Sequence, residues 1–186
     1  MRTSFTKLLF VLALTLVGRS WAQEPQREIT LRAKAQKLAQ RFIIVDTHID
    51  VPYRLRMKWE DISQRTMDGE FDVVRAKQGG LNAPFMSIYI PASYEKTGGA
   101  KALADTLIDM VEKFAHGWPK QFALARSVDD VKRQFKRGVI SLCMGMENGS
   151  PIEHDMTNVQ YFYNRGIRYI TLAHALDNHI SDSSYD

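Results

Sequence analysis

The stretch Asp46-Thr47-His48-Ile49-Asp50 sets acid, imidazole and acid on alternate residues at the end of the apolar run Phe42-Ile43-Ile44-Val45. In an extended chain alternate side chains share a face, so Asp46, His48 and Asp50 are expected to project the same way. One nitrogen and several oxygen donors at the mouth of a strand suit zinc or a similar divalent ion. A hydrogen-bonded strand terminus is the plainer alternative for His48 and Asp50 taken alone, and Asp46 is a candidate for orienting a ligand from behind. Glu147 ends a second apolar run, Val139 to Met146. A carboxylate there must be paired, metal-bound or wet, because burying it bare is costly. His174 follows a third run, Ile167 to Leu172, and is a candidate metal ligand or a donor to substrate.

The elements that must hold these residues alternate. A helix is expected over 26–41, then a strand over 42–45 and a mixed loop or short helices over 51–67. Asp72 caps a short helix that stops at Gly79-Gly80. A second strand is expected over 84–90, followed by an amphipathic helix with Leu103, Leu107, Met110, Val111 and Phe114 at helical spacing. Phe122 to Ala125 is a short apolar piece. Ser127 caps the next helix with Asp130 as its reciprocal acid. A third strand spans 139–146, a helix starts at Asp155 or Thr157 and ends at Gly166, and a fourth strand spans 167–172. This order predicts an α/β fold with about four parallel strands and covering helices. His48, Asp50, Glu147 and His174 all fall at C-terminal strand ends, the face where such folds place their sites.

The first 22 residues carry a basic start (Arg2, Lys7), an apolar run from Leu8 to Val17, and Ser20-Trp21-Ala22 before a cut. This is the pattern of a secretory signal peptide cleaved after Ala22, so a secreted or periplasmic product is expected, with residues 23–186 as its folded part. The run is too short for a membrane span, which needs about 20 residues, and no span is expected in the mature chain. Arg2, Lys7 and Arg19 leave with the leader, so 25 basic residues become 22 against 21 acidic ones. A near-neutral mature chain gives no reason to expect nucleic acid as a partner. The single cysteine, Cys143, lies in an apolar run and reads as a buried small residue.

Four segments together resemble the zinc dipeptidases of the membrane (renal) dipeptidase family, in the amidohydrolase-like barrel class. They are Asp46-Thr47-His48-Ile49-Asp50-Val51-Pro52, Gly79-Gly80-Leu81-Asn82-Ala83-Pro84-Phe85-Met86-Ser87-Ile88-Tyr89, Met144-Gly145-Met146-Glu147-Asn148-Gly149, and Gly166-Ile167-Arg168-Tyr169-Ile170-Thr171-Leu172-Ala173-His174. Asn148 stands where the family usually has glycine, and Ala173 where it often has threonine. The resemblance implies the first half of a TIM-like (β/α)8 metal-dependent hydrolase barrel. It implies that His48 and Asp50 bind a first Zn2+, that Glu147 bridges two zincs, and that His174 steadies the developing oxyanion. A hydroxide bridging the two metals would then attack a dipeptide, and the complete protein could be a homodimer. Two other functions fit the same residues: an amidohydrolase acting on N-acyl or cyclic amides, or a secreted binding protein without catalysis.

A complete barrel of this kind takes roughly 250 residues. No counterpart appears for the second zinc's histidines, the proton-shuttling acid or the arginine for the substrate carboxylate. The chain is therefore expected to be a truncated N-terminal half, exposing open strand edges. Residues 23–186 expressed alone with added zinc are expected to hydrolyse no dipeptide; turnover that His48→Ala abolishes would contradict this.

Overall fold

The computed structural model describes residues 27–185, so the leader expected over residues 1–22 lies outside the described residues. The chain divides into two compact units, one ending at Phe42 and one running from Ile43. In the first, helix α1 covers 27–41, and the Phe42 N–H closes its last turn on the Leu38 carbonyl at 3.1 Å.

The second unit is a parallel sheet with helices between its strands. In chain order these are β1 (Ile44–Ile49), α2 (Val51–Met57), α3 (Val73–Gly79), β2 (Leu81–Tyr89), α4 (Tyr94–Thr97), α5 (Ala100–Gly117), β3 (Phe122–Leu124), α6 (Val128–Lys136), β4 (Ile140–Glu147), a 3-10 turn (Ser150–Ile152), α7 (Thr157–Arg165) and β5 (Ile167–Thr171). β1 pairs with β2, β2 with β4, and β4 with β5, all parallel. The short apolar piece after α5 is a fifth strand: β3 pairs with the first residues of β4, Phe122 opposite Ile140 and Leu124 opposite Leu142. Three residues carry too little alternation to announce a strand by themselves, and the ladder with β4 decides it. The first strand also begins later than its apolar run suggests and carries through His48.

Register sets the two faces. Phe85, Ser87 and Tyr89 lie opposite Cys143, Gly145 and Glu147, so these six side-chain positions share one face. The intervening Met86, Ile88, Met144 and Met146 are buried on the other face, within the same apolar core as Leu107, Ile108, Val111 and Phe114 of α5. These four helical residues recur at intervals of one, three and three, which lines one face of a helix. Ser127 caps α6, accepting from the Asp130 N–H at 3.1 Å, while Asp130 accepts from the Ser127 hydroxyl at 2.8 Å and from the Arg126 N–H at 3.0 Å. Gly80 and Gly166 end α3 and α7 in the left-handed conformation, at φ +81° and +110°, where a side chain would be strained.

The long segment between α2 and α3 is irregular yet tied down. Glu60 accepts from Arg54 at 2.6 Å and from the Met67 and Asp68 N–H groups at 3.1 and 3.0 Å. Asp72, fully buried, caps α3 by accepting from the Arg75 N–H at 2.8 Å, and it also accepts from Arg75 Nε at 2.6 Å and the Thr66 N–H at 3.2 Å. Burial alone would raise its carboxyl, but the hydrogen bonds from Arg75 and Thr66 outweigh that and hold it below its ordinary value of 3.8. Asp72→Ala is expected to cost about 3 kcal/mol, because it strands the partly buried Arg75 and removes a cap. Since the native value is lowered, Asp72 stabilises fully above the ordinary 3.8 and loses its effect as pH falls through the native value. Urea denaturation of wild type and variant at pH 7 and pH 3 measures both effects.

Candidate metal centre

The residues singled out by type and spacing converge. Among the described residues, His48, Asp50 and Glu147 form a group whose ligand atoms all lie within 4.8 Å of one another. His48 Nε2 is 3.0 Å from Glu147 Oε2 and 3.4 Å from Asp50 Oδ1. The pleat alone does not bring Asp50 in. β1 ends at Ile49, and Asp50 (φ −83°, ψ 35°) is the residue that turns the chain into α2, with Pro52 in that helix's first turn. Asp46 Oδ1 accepts from the backbone N–H of His48 at 3.0 Å, bracing the strand end rather than the imidazole.

Glu147 closes β4 with its side chain only 13% exposed, and its two oxygens diverge. Oε2 faces His48 and accepts from the Ser87 hydroxyl at 2.7 Å, whereas Oε1 meets His174 Nε2 at 2.9 Å. His174 sits past β5, with the Tyr89 ring edge-on at 5.3 Å. Burial, and next the nearby Glu147 carboxylate, raise the phenol of Tyr89 above its ordinary 10, and the same two causes lead for Tyr169. Both stay protonated hydrogen-bond donors at neutral pH.

Tyr169 tests whether this donor set suits a cation. Its hydroxyl lies 3.1 Å from the Thr47 carbonyl, which can only accept, and 3.1 Å from His48 Nδ1. With the phenol proton on Thr47, Nδ1 is the donor to the phenol oxygen. In that arrangement the neutral ring turns an unprotonated Nε2 toward the two carboxylates. One imidazole nitrogen and two carboxylate oxygens within 4.8 Å of one another are a donor set that fits a divalent metal ion. Ser87 and Tyr169 escape sequence inspection: a serine inside an apolar strand and one aromatic among several carry no local mark. Only the shared alternation phase of Ser87 and Tyr89 hints at a polar face. Cys143 is buried, and burial pushes its thiol up to about 11, so it stays a thiol. His154 and His179 face each other with rings 4.8 Å apart, and Glu95 engages His179 Nδ1 at 3.0 Å.

The loop carrying His174 is anchored to the end of β4. Asn148 is buried with φ +76°, the left-handed region, which asparagine adopts more readily than most residues with a side chain. Its amide donates to the Ile90 carbonyl at 2.9 Å, and its oxygen accepts from the Asn178 amide at 2.8 Å and the Ser150 hydroxyl at 2.9 Å. Gly149 lets the loop approach: a Cβ there would lie 3.0 Å from the Leu172 oxygen and 2.7 Å from Ile180 Cδ1.

A parallel α/β sheet with acceptors gathered at its C-terminal strand ends defines a metal-site class of fold. Comparison with known proteins narrows it. The membrane dipeptidase family (peptidase family M19) matches residues 32–186. The chain belongs to that family. An uncharacterized dipeptidase of Schizosaccharomyces pombe is 32% identical over 96% of this chain and 47% of its own length. Dipeptidase 3 of Mus musculus is 29% identical over 76% of this chain and 29% of its own. Among solved structures, the probable dipeptidase PvdM from Pseudomonas aeruginosa superposes with a TM-score of 0.71 at 21% identity, over 82% of this chain and 40% of that one. A metallo peptidase from Rhodobacter sphaeroides superposes with a TM-score of 0.64 at 20% identity, over 74% and 47%. The fold is thus that of part of a TIM-like barrel, and the chain spans about half or less of the length of these relatives. Among the described residues no helix is long and apolar enough to cross a membrane.

Asn148→Gly is expected to keep the backbone and lose the amide network, so hydrogen exchange should quicken over residues 172–181 and not in β4. Asn148→Ala adds left-handed strain and should be less stable than Asn148→Gly by about 1 kcal/mol, measured by chemical denaturation.

Proposed function

We propose that the complete protein carrying these residues is a zinc dipeptidase, with His48, Asp50 and Glu147 holding the first ion and Glu147 shared with a second. One observation carries this: an imidazole nitrogen and two carboxylates face one another at the strand ends, with the other oxygen of Glu147 turned to His174. Family membership supports peptide-bond hydrolysis and a metal cofactor. Dipeptides as substrates are supported by the names of the relatives, and by the Rhodobacter sphaeroides structure, which is liganded with a phosphinate mimic of the dipeptide L-Ala-D-Ala.

Two zinc ions, when bound, would acidify a water held between them and polarise the scissile carbonyl. The chain's own residues do the rest. Asp50 and Glu147 supply negative charge, and the Ser87 hydroxyl keeps Glu147 Oε2 in place. His174 carries a proton at Nε2, donated to Glu147 Oε1 at 2.9 Å. Offered to the substrate's carbonyl oxygen instead, the same N–H offsets the charge that grows there. Tyr89, packed against the His174 ring, limits its swing. The leader-like residues 1–22 support an exported enzyme.

Metal analysis and dipeptide assays on the complete protein test the proposal. Wild type is expected to hold zinc and hydrolyse dipeptides. His48→Ala should lose both zinc and turnover. His174→Ala should keep its zinc while kcat falls by about 10²–10³-fold, as for loss of an oxyanion donor. A purified complete protein with neither zinc nor dipeptide hydrolysis would overturn the function.

A further inference from the structure

Tyr169 belongs to β5, yet its hydroxyl reaches Thr47 and His48 on β1, and β2 and β4 lie between those strands in the sheet. The ring crosses that face over Gly145 of β4. A Cβ on Gly145 would fall 2.0 Å from Tyr169 Cζ and 2.2 Å from Cε1, so any side chain there would displace the ring. Phe85 of β2 supports it from the side, with centroids 5.5 Å apart and planes at 37°. A strand tyrosine, a neighbouring glycine and a flanking phenylalanine thus place one hydroxyl against one imidazole nitrogen.

The consequence lies in the choice between two ring forms of His48. Left free, a neutral imidazole here would put its proton on Nε2, where Glu147 at 3.0 Å and Asp50 at 3.4 Å both accept. That form would satisfy the carboxylates internally and fill the place of the cation. With its hydroxyl donating to the Thr47 carbonyl, Tyr169 offers Nδ1 an acceptor, which is the partner Nδ1 needs when Nε2 is to hold a metal ion. We propose that Tyr169, seated on Gly145, is a positioning residue that holds His48 in the Nδ1–H form and keeps Nε2 open for the first metal ion. The proposal rests on the zinc-site function above and adds a residue to it.

The test uses the complete protein and zinc alone as ligand. In zinc-free wild type, nitrogen-15 NMR of His48 is expected to show Nδ1 protonated and Nε2 bare. Tyr169→Phe keeps the ring on Gly145 and removes only the hydroxyl. It should shift His48 toward the Nε2–H form and weaken zinc binding at the first site by about 10–100-fold, with far-ultraviolet circular dichroism unchanged. A merely structural role would not move the tautomer. An Nε2-protonated His48 in wild type would overturn the proposal, even where Tyr169→Phe does not fold. So would a folded Tyr169→Phe protein with unchanged tautomer and zinc affinity. A wild type that binds no zinc would instead overturn the zinc dipeptidase function and the tyrosine's role with it.

Discussion

A carboxylate that is largely withdrawn from water must find partners, and Glu147 finds them on three sides. Ser87 comes from β2, His48 from β1 and His174 from the loop after β5. None of them is near it in sequence. They meet because the parallel ladders run in register: Tyr89 pairs with Glu147, and Glu147 with Thr171. Parallel pairing delivers several strand ends to one level, so polar groups just past an apolar strand become neighbours. The opposite face of the same strands lies in the apolar core with α5, and this burial secures the register.

Strand ends alone leave the loops free, and the loops are where the chemistry-bearing groups sit. Asn148 takes a backbone conformation that most residues resist and uses its amide to join Ile90, Ser150 and Asn178. Gly149 then admits the chain after β5 to within contact. Together they fix the loop that bears His174. On the other side of the site, Asp50 ends β1 and opens α2 at once, so its position is set by a strand-to-helix turn. Asp46 accepts from the His48 N–H within the strand just before that turn. The groups that gather at the strand ends are thus fixed from the strands and loops around them.

Asparagine at position 148 meets a backbone demand that glycine would also meet. Glycine meets a positive φ by having no side chain, whereas asparagine meets it at a small cost and adds hydrogen bonds. Gly145 has a different reason: its φ is ordinary, and what excludes a side chain is the tyrosine ring lying over it. Positions 148 and 145 therefore answer to unrelated constraints, one conformational and one steric.

The alternating order of apolar runs and amphipathic helices specified a parallel α/β fold. The caps at Asp72 and Ser127 and the stops at Gly80 and Gly166 were legible too, because local hydrogen bonds and backbone preference decide them. His48, Asp50, Glu147 and His174 could be picked out by type and by their place after strands. The sequence could not reveal that Ser87 grips Glu147, that Tyr169 reaches His48, or that Phe122–Leu124 is a strand. Those depend on contacts between residues from 18 to 121 positions apart. Local chain chemistry determines which elements form and where they stop, whereas the tautomer of an imidazole or the pairing of three residues depends on what the fold brings beside them.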